Sequence, residues 1–197
     1  MKKLLIATHN QGKLKELSSL LEGVPFELVS LSDVGIAHDV DETGNTLEEN
    51  ATLKAETYAS LSGLSTLADD SGLEVEALGG EPGVGSARYA GEGATDQDRI
   101  DLLLKNLADK PQPWNARFRC VVAIARPSEA VGLHSGECLG AIITELRGSN
   151  GFGYDPVFLI PQVSKTMAEL TSDEKNRLSH RSVAARMAKN VLMGMPR

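Results

Sequence analysis

The order of apolar patterns at the start of the chain constrains the fold more than any other feature of the sequence. The apolar run Lys3–Ala7 is typical of a buried strand, and Lys13–Leu21 then carries leucines at helical spacing. A second strand is predicted over Glu27–Leu31. A strand, a helix and a further strand in this order indicate an α/β protein whose helices pack against a sheet.

The later part of the chain adds strands to this sheet. The clearest of them places apolar side chains at alternate positions on one face, and the two that follow it are predicted to be antiparallel neighbours. The predicted strands are Ser65–Ala68, Leu73–Leu78, Ala116–Arg126, Val131–Glu137, Cys138–Leu146 and Val157–Ile160. The pattern predicts a mixed α/β fold in which an elongated central sheet is flanked by helices.

Threonines predict where three of the helices begin. Thr46 and Thr171 each precede a glutamate by three positions, which is the pattern of a capping box. Thr95 is predicted to cap another helix. The helices that begin after Thr46 and Thr95 are predicted to end near Leu61 and Leu107.

Length and charge restrict the partners that the chain can have. Its 197 residues suit a single domain, residues 1–197, with a substantial core. The formal net charge of −7 argues against a nucleic-acid-binding protein, because such proteins usually carry a basic excess. A small nucleotide remains possible, since a few lysines or a bound metal ion can compensate its phosphates.

Apolar runs and cysteines favour a cytoplasmic protein without a membrane partner. The run after Lys2 and Lys3 is interrupted at Thr8, which makes it too short for a signal peptide, and no run approaches membrane-spanning length. Cys120 and Cys138 lack the spacing of metal ligands and are predicted to be buried free thiols. We therefore expect a reducing location.

The stretch ATHNQGK joins the first strand to the first helix and ends in a Gly-Lys pair. It is not a Walker loop, because Ala7 and Leu14 stand where that loop needs a glycine and a hydroxyl residue. The start of a helix nevertheless attracts anions through its free N–H groups and its dipole. The alternatives are a phosphate site and an ordinary helix cap formed by Thr8 or Asn10.

Adjacent aspartates, Asp69 and Asp70, follow the predicted strand Ser65–Ala68. Successive side chains of a strand point to opposite faces, so only one of the two can face a given cleft. If one binds a hard cation such as Mg²⁺, other oxygen ligands must come from elsewhere, and the acidic loop with Asp41 and Glu42 is near in sequence. The alternative is a solvated turn.

Three separated lysines, Lys13, Lys54 and Lys175, would together suit a metal-bound polyphosphate. Taken singly, each is as easily explained as a surface residue. The segment Gly151–Pro156 places two aromatic residues between glycines in a chain with only 4% aromatic residues. It could stack a base, or it could be a hydrophobic turn.

The sequence SHR, Ser179–Arg181, constrains the last helical region. On one unbroken helix, Lys175, His180 and Arg181 would lie on different faces, so they could not contact the same ligand. If they share one, the helix must break near Leu178, and Ser179 would then begin a new helix. His180 and Arg181 could there donate hydrogen bonds to a keto-bearing base or to a phosphate.

No nucleophilic triad is visible, and a carboxylate that binds metal and orients water is the simpler catalyst. Six motifs then occur together in order along nearly the whole chain. They are THNQGK, ENATLKA, ADDSGLEV, PGVGSARYAG, GFGYDP and EKNRLSHR. In this combination the sequence closely resembles the inosine/xanthosine triphosphate pyrophosphatase family.

The resemblance implies hydrolysis of inosine, deoxyinosine or xanthosine triphosphate to the monophosphate and pyrophosphate. It also implies Mg²⁺ as cofactor, a homodimer, and an elongated sheet with two lobes around a nucleotide cleft. Two other functions stay open: a pyrophosphatase for another modified or canonical nucleotide, and a non-catalytic nucleotide-binding or sensing protein.

The resemblance also assigns roles to individual residues. Asp70 is expected to bind Mg²⁺ and to act as the catalytic base, with Asp69 in support and with either Glu42 or Asp41 as a second metal ligand. The phosphates are expected at Thr8, His9, Asn10, Gln11, Gly12, Lys13 and Lys54. The rest of the nucleotide is expected at Ser71, Phe152, Gly153, Tyr154, Asp155, Lys175, His180 and Arg181.

Overall fold

The computed structural model describes residues 2–126 and 129–194. In the described residues the strands are β1 (Lys2–Ile6), β2 (Phe26–Ser30), β3 (Ser65–Val75), β4 (Pro82–Gly83), β5 (Trp114–Ala125), β6 (Gly132–Ile142), β7 (Phe158–Ile160) and β8 (Lys165–Thr166). The α-helices are α1 (Gln11–Leu20), α2 (Leu47–Ser62), α3 (Asp96–Leu107), α4 (Ser172–Leu178) and α5 (His180–Met193). Strand order in the sheet is β2-β1-β3-β5-β6-β7-β8, with β4 paired to β3. The predicted fold class, a mixed sheet flanked by helices, is confirmed.

The chain divides into two compact units. Unit 1 contains the described residues up to Asp70, those of Cys120–Gly136 and those from His180 onwards. Its strand β1 pairs in parallel with β2 and with the first part of β3. The helices α1 and α5 are in contact, and their apolar side chains join those of the strands in one core. That core includes Leu4, Leu17, Leu67, Val122 and Ala185.

Unit 2 contains Ser71–Arg119 and Glu137–Ser179. Its strands pair antiparallel where β4 meets β3, where β7 meets β6 and where β8 meets β7. The helix α3 buries one face against this part of the sheet, and the resulting core includes Leu103, Trp114, Phe118 and Phe158. The prediction of a single domain for residues 1–197 stays a prediction.

Two predicted chain breaks are wrong, because each lies inside a continuous strand. β3 runs without interruption from Ser65 to Val75, where two separate strands, Ser65–Ala68 and Leu73–Leu78, were predicted. A Cβ on Gly72 would lie 2.2 Å from the carbonyl oxygen of Gly83, so this glycine serves the close approach of β4. β6 likewise passes through the predicted boundary between Glu137 and Cys138. Its Gly136 makes room for α5, since a Cβ there would lie 2.4 Å from the carbonyl oxygen of His180.

The predicted helix starts are confirmed. The side chains of Thr46, Thr95 and Thr171 each accept a hydrogen bond from the backbone N–H three positions on. The box is complete at Thr95 and Thr171, whereas Glu49 accepts from the N–H of Asn45 instead of that of Thr46. The helix break near Leu178, which a shared ligand of Lys175, His180 and Arg181 would require, is present, because α4 ends at Leu178 and α5 begins at His180.

Candidate active site

The first helix of unit 1 begins directly after strand β1. Asn10 has extended backbone and its side chain accepts a hydrogen bond from the N–H of Lys13 at 3.0 Å, while the hydroxyl oxygen of Thr8 accepts from the N–H of Asn10. The first turn of α1 carries no acidic residue that would oppose an anion. The helix start therefore offers polar groups and a lysine to a negatively charged ligand.

The rest of the ATHNQGK loop is held by its neighbours. His9 is exposed, and its Nε2 lies 3.0 Å from the carbonyl oxygen of His38. That carbonyl also accepts a hydrogen bond from the hydroxyl of Tyr58. Gln11 is exposed and Gly12 half-buried at the start of α1.

Asp69 lies at the centre of a buried group of charges in unit 1. Its Oδ2 is 3.1 Å from Nε of Arg181, 3.3 Å from Nζ of Lys13 and 3.7 Å from the Sγ of Cys120. Burial opposes ionisation of this carboxyl group, but Lys13, Arg181 and Lys54 outweigh it and hold the pKa of Asp69 below its usual range. The carboxylate is therefore charged at neutral pH and balanced by cations.

Asp70 points to the opposite face of β3 and has different neighbours, as expected for successive strand residues. Nδ2 of Asn50 donates a hydrogen bond to its Oδ2 at 3.1 Å, and Nζ of Lys54 lies 3.6 Å from its Oδ1. Lys54 also donates a hydrogen bond to Glu42. Asn50 is fixed in turn, because its Oδ1 accepts from the N–H of Gly44 at 2.7 Å.

The electrostatics of this acidic group differ from those around Asp69. Burial raises the pKa of Asp70, Lys54 opposes that shift, and the nearby charge of Glu42 adds to it. Burial disfavours the charged form of Lys54, but Asp70 and Glu42 together raise its pKa above the ordinary value. Glu42 is thus close enough to act on Asp70, whereas Asp41 is exposed. The structure favours Glu42 as the partner of Asp70.

A second group of predicted residues lies in unit 2, in the aromatic loop Gly151–Pro156. Nζ of Lys175 donates a hydrogen bond to Oδ2 of Asp155 at 2.6 Å and lies 5.2 Å from the centre of the Phe152 ring. The N–H of Phe152 donates to the same carboxylate oxygen at 3.1 Å. Gly151 has a φ of +78°, and a Cβ there would lie 2.0 Å from Oδ2 of Asp155. The ion pair therefore packs directly against the loop backbone.

Two further contacts hold the aromatic loop to the rest of unit 2. The N–H of Gly153 donates a hydrogen bond to Oδ2 of Asp96 at 2.7 Å, and Asp96 is itself paired with Arg99. Tyr154 is buried and its hydroxyl donates to the carbonyl oxygen of Ser86 at 2.9 Å. Burial raises the pKa of this phenol. The side chain of Phe152 remains half-buried.

The remaining predicted residues lie on either side of the boundary between the units in the chain. Ser71 is half-buried on β3, one residue after Asp70. Helix α4 ends at Leu178, Ser179 has extended backbone, and α5 begins at His180. His180 and Arg181 are both buried in the first turn of α5.

No role was assigned from the sequence to three residues that hold predicted site residues in place, although Asn50 was recognisable as a neighbour of Lys54 on one helix face. Asn50 orients Asp70, Glu16 accepts a hydrogen bond from Arg181 at 2.6 Å, and Asp96 supports the aromatic loop. Asn50 could have been found, because it lies one helical turn before Lys54 on α2. The other two contacts join distant parts of the sequence and leave no local pattern.

Comparison with known proteins gives a family match over most of the chain. The sequence model of the Ham1 family matches residues 4–191. The chain belongs to the Ham1 family. The resemblance seen in the six motifs is thereby confirmed.

Curated and solved relatives of this Ham1 chain match it over nearly its full length. It is 47% identical over 193 residues to the dITP/XTP pyrophosphatase of Bacillus subtilis (strain 168), an alignment that covers 98% of each chain. It matches the solved structure of a HAM1 protein from Coxiella burnetii with a TM-score of 0.90 and 40% identity, covering 99% of this chain and 100% of the other. The Staphylococcus aureus Ham1 protein gives a TM-score of 0.87 at 40% identity, covering 98% and 99%.

Within residues 2–126 and 129–194, no helix is both long and apolar enough to cross a membrane. In the same ranges, no three histidine, cysteine or acidic side chains are grouped so as to hold a metal ion by themselves.

Proposed function

We propose that this chain hydrolyses non-canonical purine nucleoside triphosphates, namely ITP, dITP and XTP, to the monophosphate and pyrophosphate, and so removes them from the nucleotide pool. The observation that carries the proposal is the buried Asp70, held by Asn50 and Lys54 with Glu42 nearby. Its context is a Ham1 chain 47% identical to a curated dITP/XTP pyrophosphatase.

The acidic group fits Mg²⁺. This ion prefers oxygen ligands, keeps several of its waters, and is commonly held by one or two carboxylates together with substrate phosphates. Asp70 and Glu42 supply two carboxylates. Burial, and to a smaller extent the charge of Glu42, raise the pKa of Asp70, and a bound cation would stabilise both negative charges. When bound, the metal supplies charge neutralisation at the phosphate oxygens.

Asp70 suits the role of general base. A carboxylate can accept a proton from a neighbouring water, and the burial of Asp70 favours the protonated form that results. The amide of Asn50 fixes its orientation through Oδ2, and Asn50 is itself fixed by the N–H of Gly44. We therefore assign to Asp70 the proton of the water that attacks the α-phosphorus.

The phosphates are assigned to the start of α1 and to the lysines of unit 1. Lys13 lies in the first turn of that helix. Lys54, which belongs to α2, lies beside Asp70. Cations and free N–H groups fixed before the reaction stabilise the negative charge that grows as the anhydride bond breaks.

The nucleobase is assigned to the aromatic loop of unit 2. The half-buried ring of Phe152 offers a surface for stacking, and the loop is held rigidly through Asp155 and Asp96. Hydrogen-bond donors directed at a 6-keto oxygen would face a donor instead when the base carries a 6-amino group. Such donors would account for discrimination against adenine.

The decisive experiment measures pyrophosphate release from inosine, xanthosine, adenosine and guanosine triphosphates at equal concentration, with Mg²⁺ and with a chelator. We expect release from the inosine and xanthosine nucleotides, lost with the chelator. Release of pyrophosphate from adenosine or guanosine triphosphate alone would show that the proposed substrates are wrong. Binding without release would favour a sensing protein and remove the catalytic role of Asp70.

Two further features implied by the resemblance belong to the same proposal. We propose a homodimer in the cytoplasm that has no nucleic-acid partner. Sedimentation analysis of the purified chain tests the oligomeric state, and a single monomeric species at micromolar concentration would contradict it.

A further inference from the structure

The motif PGVGSARYAG, which we name the 82–91 segment, is one of the six motifs of the resemblance, yet none of its residues has been given a role. The segment is fixed to strand β3 by the buried Ser86. The N–H of Leu73 donates a hydrogen bond to the hydroxyl oxygen of Ser86 at 2.8 Å, and this hydroxyl donates to the carbonyl oxygen of Gly83 at 2.6 Å. The segment can therefore serve as a fixed support within unit 2.

Two neighbouring carbonyl groups of the 82–91 segment accept hydrogen bonds from side chains outside it. The carbonyl oxygen of Ser86 accepts from the hydroxyl of Tyr154, in the aromatic loop, at 2.9 Å. The carbonyl oxygen of Ala87 accepts from Nη1 of Arg99, on α3, at 2.9 Å. The first contact reaches the aromatic loop directly, and the second reaches it through α3.

The connection through α3 passes from Arg99 to Asp96. Nη2 of Arg99 donates a hydrogen bond to Oδ1 of Asp96, and the N–H of Gly153 donates to Oδ2 of the same carboxylate at 2.7 Å. Nη1 of Arg99 also donates to the carbonyl oxygen of Ala94 at 2.7 Å. Arg99 thus joins the 82–91 segment, the chain before α3 and the carboxylate that holds the aromatic loop.

The exposure of the two side chains shows which one orients the other. The Asp96 side chain is 45% exposed and that of Arg99 is 17% exposed. An exposed carboxylate keeps much of its rotamer freedom, and a surface ion pair alone restrains it little. The guanidinium is a planar, rigid group of donors, so its bonds to two backbone carbonyls determine where its remaining N–H groups point. Arg99 therefore orients Asp96.

We propose that Arg99 is a positioning residue for the nucleobase. By orienting Asp96 it fixes the N–H of Gly153, which follows Phe152, the residue whose ring is assigned to base stacking. This inference rests on the proposed function, and it deepens that function by giving the 82–91 segment and the start of α3 the task of holding the aromatic loop. Because the phosphates are assigned to other residues, in unit 1, Arg99 acts only on ligands that carry a base.

The test uses Arg99→Gln, whose shorter, uncharged side chain cannot make all of these contacts. The aromatic loop is then less ordered before binding, and the ligand has to order it. We expect KM for ITP to rise by about five- to tenfold with kcat nearly constant, since the catalytic carboxylate is elsewhere. Lys105→Gln, at an exposed site on the same helix, controls for the loss of one positive charge. Asp96→Ala, which removes the acceptor for the N–H of Gly153, should reproduce the effect of Arg99→Gln.

Calorimetry with two ligands separates positioning of the base from a general loss of structure. Both are measured with Mg²⁺: inosine monophosphate, which carries the base, and inorganic pyrophosphate, which does not. We expect Arg99→Gln to weaken binding of inosine monophosphate by about the same factor as it raises KM, and to leave pyrophosphate binding unchanged. Equal weakening of both ligands would overturn the proposal, as would unchanged affinity for inosine monophosphate. A wild-type chain that does not bind inosine monophosphate would overturn it too.

A double-mutant cycle tests the route through Asp96. If Arg99 acts through Asp96, Arg99→Gln should have little further effect on affinity for inosine monophosphate in an Asp96→Ala background. An equal effect in both backgrounds would overturn the proposal. Failure of the proposed function is seen in a different measurement, because it would be a wild-type chain that releases no pyrophosphate from any nucleotide. The contrast between the two calorimetric ligands decides the role of Arg99 in either case.

Discussion

The two units hold their predicted site residues by different means. In unit 1, long-range ion pairs connect strands and helices: Arg181 reaches Asp69 across 112 positions of sequence and Glu16 across 165. In unit 2, the aromatic loop is folded largely on itself, since Asp155 accepts from the N–H of Phe152 only three positions away. Lys175 and Asp96 then fix the loop from outside.

This difference corresponds to the two chemical tasks in the proposed reaction. Binding of phosphates and metal needs several charges fixed in a buried environment. There the interactions between charges are stronger, and each charge must be balanced by a partner. Recognition of a base needs one flat surface and a few fixed polar groups, which a short loop can provide. We therefore expect substitutions in unit 1 to act chiefly on turnover and phosphate binding, and those in the aromatic loop to act on base affinity.

The largest effect is expected for Asp70→Asn. The amide can still accept the hydrogen bond from Asn50 but cannot take up a proton, so kcat should fall by about 10²–10⁴-fold. Binding of ITP, measured by calorimetry, should remain detectable but weaker, because one of the two Mg²⁺ carboxylates is lost. Asp109→Asn, an exposed substitution of the same kind, should leave both quantities unchanged. A kcat of Asp70→Asn near the wild-type value would mean that another residue is the general base.

The second prediction separates two adjacent acids. Glu42 contacts Lys54 and acts on Asp70, whereas Asp41 is exposed. Glu42→Gln should therefore raise the Mg²⁺ concentration needed for half-maximal activity by about tenfold or more, and Asp41→Asn should raise it far less. The measurement is a Mg²⁺ titration of pyrophosphate release. The opposite order of the two variants would place the metal ligand at Asp41.

Local patterns predicted much of the fold because the interactions behind them are local. Threonine caps act within one helical turn. The break after Leu178 was predicted from the angles between residues on a helix, on the hypothesis that Lys175, His180 and Arg181 share one ligand. The strand boundaries predicted near Gly72 and Gly136 are wrong for the opposite reason. Each glycine makes room for a segment that is distant in sequence, so its environment is invisible until the chain is folded.

The site shows the same limit. The residues that carry chemistry, such as Asp70 and Lys54, stand in recognisable motifs. Their supports, such as Glu16 and Asp96, are ordinary charged residues of helices, and most such residues are only solvated. What distinguishes them is the burial and identity of their partners, which is a property of the folded chain.

The third prediction concerns the aromatic loop. Gly151 and Gly153 both have positive φ, so alanine at either position should cost roughly 1–2 kcal/mol of backbone strain. Only at Gly151 does the added Cβ collide with Asp155, since nothing lies within 4 Å of the corresponding position at Gly153. Gly151→Ala should therefore lower the free energy of unfolding further, and should raise KM for ITP more than it lowers kcat.

Gly153→Ala is the matched control, and urea denaturation with steady-state kinetics supplies both readouts. The difference between the two variants measures the packing of the Asp155–Lys175 pair against the loop. Equal losses of stability and equal KM values would mean that backbone strain alone explains both, and that this ion pair does not shape the loop.

The smallest effect is expected at the start of α4, the helix that carries Lys175. Glu174 accepts hydrogen bonds from Nζ of Lys165 and from the N–H of Thr171, and these hold its pKa at about 2. Its unfolded pKa is about 4.3, so the stabilisation is complete above that value and is lost as the pH falls towards 2. Glu174→Gln should lower Tm by about 2 °C or less at pH 7, and the difference should shrink between pH 5 and pH 3.

Asp173→Asn provides the comparison for this last prediction, because it removes a charge from the same helical turn at an exposed position. Both substitutions weaken the favourable interaction of a carboxylate with the helix dipole. Only Glu174→Gln also removes the charged partner of Lys165. A larger and more pH-dependent loss of Tm for Glu174→Gln than for Asp173→Asn would show that the contacts of Glu174 stabilise α4, the helix that carries Lys175. Identical dependence of Tm on pH for the two variants would mean that Glu174 acts only through the helix dipole. The aromatic loop would then be supported by Asp155 and Asp96 without a contribution from Glu174.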